Sequence, residues 1–141
     1  SKDPVHPNDH VNRGQSSNDV FPTAMYVAAA TSIARELRPA LTHLRDEILA
    51  KADEWRDIVK IGRTHLMDAV PLTLGQEARA WATQIDGDIR RLDSAAGDLL
   101  ELPSGGTAVG TGLNSHHDFG VRTSAAIAEL TGLPFTVIEN P

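Results

Sequence analysis

The chain contains no cysteine, and this absence narrows its possible chemistry at once. Without cysteine there are no disulfides, no thiolate ligands for zinc and no cysteine nucleophile. Aromatic residues make up only 4% of the 141 residues, whereas apolar residues make up 40% and charged residues 23%, which is ordinary for a globular protein. These properties predict one domain, and a chain without cysteine is expected in the reducing cytoplasm.

Positive charge and long apolar runs are also scarce. The formal net charge is −6, and Arg90-Arg91 is the only adjacent pair of basic residues. Nucleic acid is therefore a poor partner, because neutralising phosphates requires a basic patch. No apolar run approaches the roughly 18 residues of a membrane span. The sequence predicts a protein that binds neither nucleic acid nor membrane.

The apolar residues that are present recur at helical spacing, which predicts an all-α fold built as a long-helix bundle. The spacing runs through residues 19–56 with an interruption at Pro39, so we expect a kinked helix pair there, with Asp19 as N-cap and Pro22 in the first turn. A second stripe covers residues 74–101 and predicts a helix of about 28 residues. Because a single compact domain cannot cover so long a stripe, we expect partners outside these residues.

The remaining segments are predicted to connect these helices. We expect a loop over residues 1–18, a connector over 57–73 and a glycine-rich loop over 102–114. A last helix is expected over residues 115–132. Ser115 and Asp118 have the spacing of a capping box at its start, and Gly132 is suited to its end.

Ser16, Ser17 and Asn18 lie just ahead of a predicted helix N-terminus. Unpaired N–H groups and the helix dipole favour an anion there, so the hydroxyl and amide groups are candidates for binding a carboxylate. Ordinary helix capping explains the same three residues. The residues alone leave both interpretations open.

His65 follows Thr64 and precedes the proline of the next predicted helix entrance. Histidine is the usual side chain for moving protons near neutral pH, and a hydroxyl neighbour suits that role. A lone histidine is also often a structural residue with satisfied hydrogen bonds. His65 is therefore a candidate acid or base with a structural alternative.

Other histidines do not predict a metal site. His6 and His10 are four residues apart, but Pro7 between them disfavours the helix that a zinc-binding pair needs. His116 and His117 stand at a predicted helix start and are expected to be solvated. We therefore predict no metal ion.

The stretch "GGTAVGTGLN", residues 105–114, has the glycines of a phosphate loop but lacks the Gly-Lys-Ser/Thr ending and the preceding strand. No nucleotide or other cofactor is therefore predicted. Its glycines would instead allow a small ligand or another chain to approach the backbone closely.

Three segments together resemble a known family. "HPNDHVNRGQSSNDVFPTAM", "GRTHLMDAVPLTLGQE" and "GGTAVGTGLN", in this order and spacing, are similar to the fumarase/aspartase superfamily and within it to the class II fumarases. The resemblance covers essentially the whole chain and implies a part of the family's central helical domain. It further implies a homotetramer in the full-length protein, with active sites built from three subunits.

The resemblance also implies roles for particular residues. Ser16, Ser17 and Asn18 match the motif that binds a substrate carboxylate, and Thr64 and His65 match a threonine and a proton-transferring histidine. A secondary dicarboxylate site is implied at four residues that match another family stretch: His6, Pro7, Asn8 and Asp9. The implied substrate is a small dicarboxylate, fumarate or malate, interconverted by fumarate hydratase in the citric acid cycle.

Two family motifs do not occur in these residues. They are the flexible Gly-Ser-Ser-x-Met-Pro-x-Lys-x-Asn loop, with a serine base and a lysine, and an upstream Ser-Gly-Thr motif. We therefore expect a fragment that is inactive alone. Aspartate ammonia-lyase is the nearest alternative, although Ser17 and Gly106 favour fumarase by resemblance. A non-enzymatic helical interaction module is a third alternative, which explains the long stripe but not the site motifs.

Overall fold

The structure, a computed structural model, describes residues 3–139. The all-α prediction is confirmed, and the strands form only two small two-stranded sheets among these residues. The chain divides into a first unit, residues 1–33 with 95–141, and a second unit, residues 34–94. The elements are α1 (Ser17–Ser32), α2 (Arg38–Glu54), β1 (Val59–Thr64), β2 (Met67–Thr73), α3 (Leu74–Asp98), β3 (Glu101–Leu102), α4 (Phe119–Thr131) and β4 (Thr136–Val137).

The first helix begins earlier than predicted. Ser16 is the N-cap of α1, and its Oγ accepts a hydrogen bond from the backbone N–H of Asn18 at 3.2 Å. Asp19 lies at the third helical position, and its carboxylate accepts a hydrogen bond from the backbone N–H of Ser16 at 2.9 Å, which completes a capping box. The prediction of Asp19 as N-cap was therefore wrong, and Pro22 lies inside the helix rather than in its first turn.

Residues ahead of α1 are not a plain loop, because Pro7–Val11 form a π-helical turn. A second π-helical segment, Ile33–Leu37, lies between α1 and α2, where an interruption was predicted at Pro39. Proline has no N–H to donate to the carbonyl four residues earlier. The irregular hydrogen bonding just before Pro39 follows from that missing donor.

In the second unit, α2 and α3 run antiparallel, as their ion pairs show. Arg38 contacts Asp93 and Arg45 contacts Asp86, while Asp53 near the end of α2 contacts Arg79 near the start of α3. The hydrogen bonds that Arg38 donates to Asp93, together with the negative charge of Asp93, raise the pKa of the Arg38 guanidinium. Three alanines and one isoleucine are buried in this unit: Ala52, Ala78, Ala82 and Ile89.

The predicted connector over residues 57–73 is a β-hairpin. β1 and β2 pair antiparallel, with Val59 opposite Thr73 and Thr64 opposite Met67. Pro71 is tolerated in β2 because a two-stranded sheet consists of edge strands only. Only a connector was predicted here, and the sheet was not predicted.

In the first unit, Leu102 and Phe135 form a small core with Ala30 of α1. Leu99 and Leu100, which follow α3, pack against this core, and the helix ends at Asp98 and not near residue 101 as predicted. β3 follows directly and pairs parallel with β4. This pairing explains the early end, since residues in a strand cannot also continue a helix.

The last helix begins later than predicted. α4 starts at Phe119, and its N-cap Asp118 makes no capping hydrogen bond through its side chain. Ser115 Oγ instead donates to the carbonyl of Gly112 at 2.9 Å, so the predicted Ser115–Asp118 capping box was wrong. Gly132 does end this helix with φ 73°, in the left-handed conformation that glycine adopts without strain.

Within the part of the chain that the structure describes, no helix has the length and apolar character needed to cross a membrane.

Gly75 tests the packing of α3 on α2. A Cβ at this position would lie 2.5 Å from the carbonyl oxygen of Ala52, whereas a Cβ at Gly97 meets nothing within 4 Å. Gly75→Ala should therefore lower the free energy of unfolding by about 1–3 kcal/mol through overpacking. Gly97→Ala, the matched control, should raise it by up to about 1 kcal/mol. Urea unfolding measures both, and equal effects of the two substitutions would contradict this packing.

Candidate functional site

The Ser16–Asn18 motif lies at the N-terminus of α1, as required for binding an anion. Ser16 is part of the capping box, whereas Ser17 and Asn18 are exposed. The Asn18 side chain is oriented by the glycine-rich loop, since its Nδ2 donates to the carbonyl of Ala108 at 2.8 Å. An exposed hydroxyl and a fixed amide thus stand together at the positive end of the helix dipole.

Asp19 connects this motif to the glycine-rich loop. Its side chain is buried, with 2% of the residue exposed. Oδ2 accepts hydrogen bonds from the backbone N–H groups of Gly105, at 3.1 Å, and Thr107, at 3.0 Å, while Oδ1 accepts the one from Ser16. A buried carboxylate is costly unless such donors satisfy it. Three amides from two distant segments therefore converge on one side chain.

The glycine-rich loop packs closely under α4. Gly105, with φ 95°, lies so near Gly120 that a Cβ on Gly105 would be 2.8 Å from the Gly120 Cα. A Cβ on Gly120 would lie 2.3 Å from the carbonyl oxygen of Ser104. Glycine is required at both positions. The loop was expected to let a small ligand or another chain approach closely, whereas the close approach in the structure is between segments of the same chain.

Thr107 holds a backbone conformation that a β-branched residue rarely adopts. Its φ is 58°, and only 6% of the residue is exposed. Its Oγ1 is buried without a hydrogen-bond partner among the described residues. Such strain costs of order 1–3 kcal/mol and persists only where surrounding contacts impose it. The hydrogen bond that the backbone N–H of Thr107 donates to Asp19 Oδ2 is one such contact.

The four residues of the implied secondary site lie in and next to the π-helical turn. His6 Nδ1 is 3.2 Å from an oxygen of Asp9 and accepts from the backbone N–H groups of Asn8 and Asp9. Pro7 begins the turn. Asn8 shares an open cleft of about 620 Å³ with Ser16, Ser17 and other residues of α1. Asn8 of one candidate segment and Ser16 and Ser17 of the other thus line the same cleft.

Thr64 and His65 belong to the second unit and were expected at a helix entrance. They lie instead at the tip of the β1–β2 hairpin, where Thr64 pairs with Met67 and His65 and Leu66 form the two-residue turn. The φ angles of His65 and Leu66 are 51° and 61°. A two-residue type I′ turn requires positive φ at both central positions and usually has Asn-Gly or Gly-Gly there. A histidine and a leucine are unusual at these positions, and both are exposed.

One cluster of the described residues contains possible metal ligands. One ligand atom from each of His116, His117 and Asp118 lies within 4.8 Å of the others, and all three residues are exposed. The backbone N–H of Asp118 donates to His116 Nδ1 at 3.2 Å, and His117 Nε2 lies 3.2 Å from Asp118 Oδ1. These contacts account for the cluster without an ion, and we assign it no metal.

Sequence reasoning missed Asp19 and Thr107 as residues of the site. The Ser-x-x-Asp spacing was a usable signal for the capping box, because the residue at the third helical position reaches back to the N-cap. No local signal points to the partners of Asp19 in the glycine-rich loop, which follow 86 and 88 residues later.

Comparisons with known proteins identify the family of this chain. A family model described as Lyase matches residues 1–141, and the chain belongs to this family. It is 57% identical to the class II fumarate hydratase of Methylorubrum extorquens and 58% identical to that of Nitrosomonas europaea, over 99% and 96% of this chain. The chain spans 29% of the length of each of these relatives.

Solved structures give the same family. The crystal structure of class II fumarase from Schistosoma mansoni matches with a TM-score of 0.94 at 39% identity, covering 97% of this chain and 32% of that one. The resemblance to the fumarase/aspartase superfamily is confirmed.

The strained hairpin turn yields a test of its own. Leu66→Gly removes a side chain from a position with φ 61°, which should stabilise the hairpin by about 1 kcal/mol. Gly62→Ala is the opposite control, since its Cβ would lie 2.7 Å from the carbonyl oxygen of Val70 and should destabilise the same hairpin. Thermal unfolding measures both. A Leu66→Gly protein less stable than the wild type would show that this turn is not strained.

Proposed function

We propose that the whole protein is a class II fumarate hydratase, which adds water reversibly to fumarate to form L-malate. The observation that carries the proposal is the exposed pair Ser17 and Asn18 at the N-terminus of α1, where donors and the helix dipole favour a carboxylate. The high identity to proteins named fumarate hydratase supports the same substrate class.

The chemistry assigns different tasks to the two site motifs. Hydration forms a C–O bond at one carbon of the double bond and a C–H bond at the other. In the reverse direction a proton leaves the carbon next to a carboxylate, and negative charge accumulates on a substrate that is already a dianion. Such a step needs hydrogen-bond donors that are already in place. Ser16, Ser17, Asn18 and Thr64 are the proposed carboxylate-binding residues.

His65 is the proposed acid/base residue for water and the substrate hydroxyl. Its exposure at the hairpin tip leaves the imidazole accessible, and its positive φ supports the role because strained backbone concentrates at functional sites. The structural alternative for His65 requires hydrogen-bonding contacts that hold its side chain in the fold, and an exposed turn position favours the functional role instead. The serine base and the lysine implied by the resemblance belong to a motif absent from these residues.

The assembly, the secondary site and the location of the protein are further proposals. Exposed apolar side chains, among them Phe21, Met25 and Trp81, support an assembly larger than one copy of these residues, and we propose the homotetramer. His6, Pro7, Asn8 and Asp9 are the proposed secondary dicarboxylate site. Cytoplasmic location and a place in the citric acid cycle remain predictions.

The activity is tested on the whole protein with fumarate, malate and aspartate as substrates. His65→Asn should lower kcat for malate dehydration at least about 100-fold, as expected for loss of a general acid or base. His43→Asn is the matched control, since His43 is an exposed histidine on α2 and should leave the rate unchanged. Turnover of aspartate instead would identify an ammonia-lyase, and turnover of none of the three would favour an interaction module.

The carboxylate-binding role of Ser17 has a separate test. Ser17→Ala removes one hydrogen bond to a charged group, so the free energy of transition-state binding should weaken by about 1.5–3 kcal/mol. The measurement is kcat/KM for fumarate in the whole protein, with urea unfolding as the control for folding. Unchanged kcat/KM in a folded variant would leave Ser17 with only a structural position in the first turn of α1.

A further inference from the structure

We propose that Asp19 is the positioning residue of the carboxylate site, acting by holding the glycine-rich loop against the start of α1. The inference rests on the proposed function. Asp19 itself is buried and does not contact substrate; it acts through Ser16, Asn18 and the loop.

Both oxygens of the Asp19 carboxylate accept hydrogen bonds from backbone N–H groups. Oδ1 accepts from Ser16, and Oδ2 accepts from Gly105 and Thr107. Hydrogen bonds to an ionised acceptor are roughly twice as strong as neutral ones. Both oxygens are therefore committed to fixing two backbone segments relative to each other.

The backbone of the glycine-rich loop is strained at Thr107. Thr107 would not keep φ 58° unaided, because this conformation crowds the Cβ of an L-residue against the backbone. Its amide is held by Asp19, and the neighbouring Gly105 is held by the same oxygen. Asp19 thus stabilises a loop conformation that the loop sequence disfavours at Thr107.

The glycine-rich loop also contacts Asn18, one of the proposed carboxylate-binding residues. Ala108 follows Thr107 directly, and its carbonyl accepts the Nδ2 hydrogen bond that orients Asn18. A loop released by loss of Asp19 would move this carbonyl and free the Asn18 amide to rotate. Ser17, between Ser16 and Asn18, would lose its fixed position at the same time. Misplaced binding groups weaken substrate binding even when each is still present.

The test uses the whole protein and compares Asp19→Asn with Thr23→Val. In Asp19→Asn an NH₂ group replaces one acceptor oxygen and faces backbone N–H groups. Thr23 is a buried control on the same helix, and its hydroxyl donates to the Asp19 main-chain carbonyl at 2.7 Å without contacting the loop amides. Both substitutions should lower stability. A loss of stability alone reduces the active fraction and the apparent kcat, but it does not change KM.

The expected result is a rise in KM for fumarate of at least about tenfold in Asp19→Asn, equivalent to ~1.4 kcal/mol. Amide hydrogen exchange at Gly105 and Thr107 should accelerate in the same variant, since local opening governs exchange. Thr23→Val should keep KM within twofold of the wild type. If Asp19→Asn does not fold, Asp19→Glu replaces it, with the carboxylate displaced by one methylene and the same rise in KM expected.

Two outcomes overturn the inference. A folded Asp19 variant with wild-type KM would reduce the residue to a structural role, and an equal rise in KM for Thr23→Val would trace the effect to general loosening of α1. A wild-type protein that does not turn over fumarate contradicts the proposed function itself, and the inference with it. That failure is seen before any variant is measured, so the two failures are distinguishable.

Discussion

The buried carboxylate of Asp19 joins the start of α1 to a loop that follows some 90 residues later along the chain. The first backbone N–H groups of a helix have no hydrogen-bond partner inside the helix. The backbone N–H groups of Gly105 and Thr107, which have positive φ, also need an acceptor. One carboxylate accepts from both sets at distances of 2.9–3.1 Å. The first turn of α1, and with it the exposed Ser17 and Asn18, depends on this shared acceptor.

Backbone strain occurs in the glycine-rich loop of the first unit and at the hairpin tip of the second unit. Thr107 has a left-handed backbone in the first unit, and His65 and Leu66 have one in the second. None of these three positions has the glycine or asparagine that would relieve such strain. Glycine at these positions would stabilise the fold, yet the hairpin tip has a histidine and the loop has a threonine. Residues with such a strained backbone are expected where the side chain or the backbone conformation has a functional role.

Much of the helical architecture could be predicted from apolar periodicity, because a stripe at helical spacing is a property of one segment. The start of α3 at Leu74 and the end of α4 at Gly132 follow from such local rules. The hairpin could not be predicted in this way, since its turn contains His65 and Leu66 rather than the residues that normally mark one. The role of Asp19 also escaped prediction, because its partners at Gly105 and Thr107 are distant in sequence. Ser17 and Asn18 became candidates through their place ahead of a predicted helix and through the family resemblance, with helix capping as the alternative.

The most direct measurement is a crystal structure of the whole protein with succinate, the saturated four-carbon dicarboxylate, bound at the site. We expect one carboxylate of succinate within hydrogen-bond distance of Ser17 Oγ and Asn18 Nδ2. We also expect the Asp19 carboxylate to remain buried, accepting from the backbone amides of Gly105 and Thr107. Succinate bound away from Ser17 and Asn18, or an Asp19 side chain turned away from the glycine-rich loop, would contradict the role given to this carboxylate.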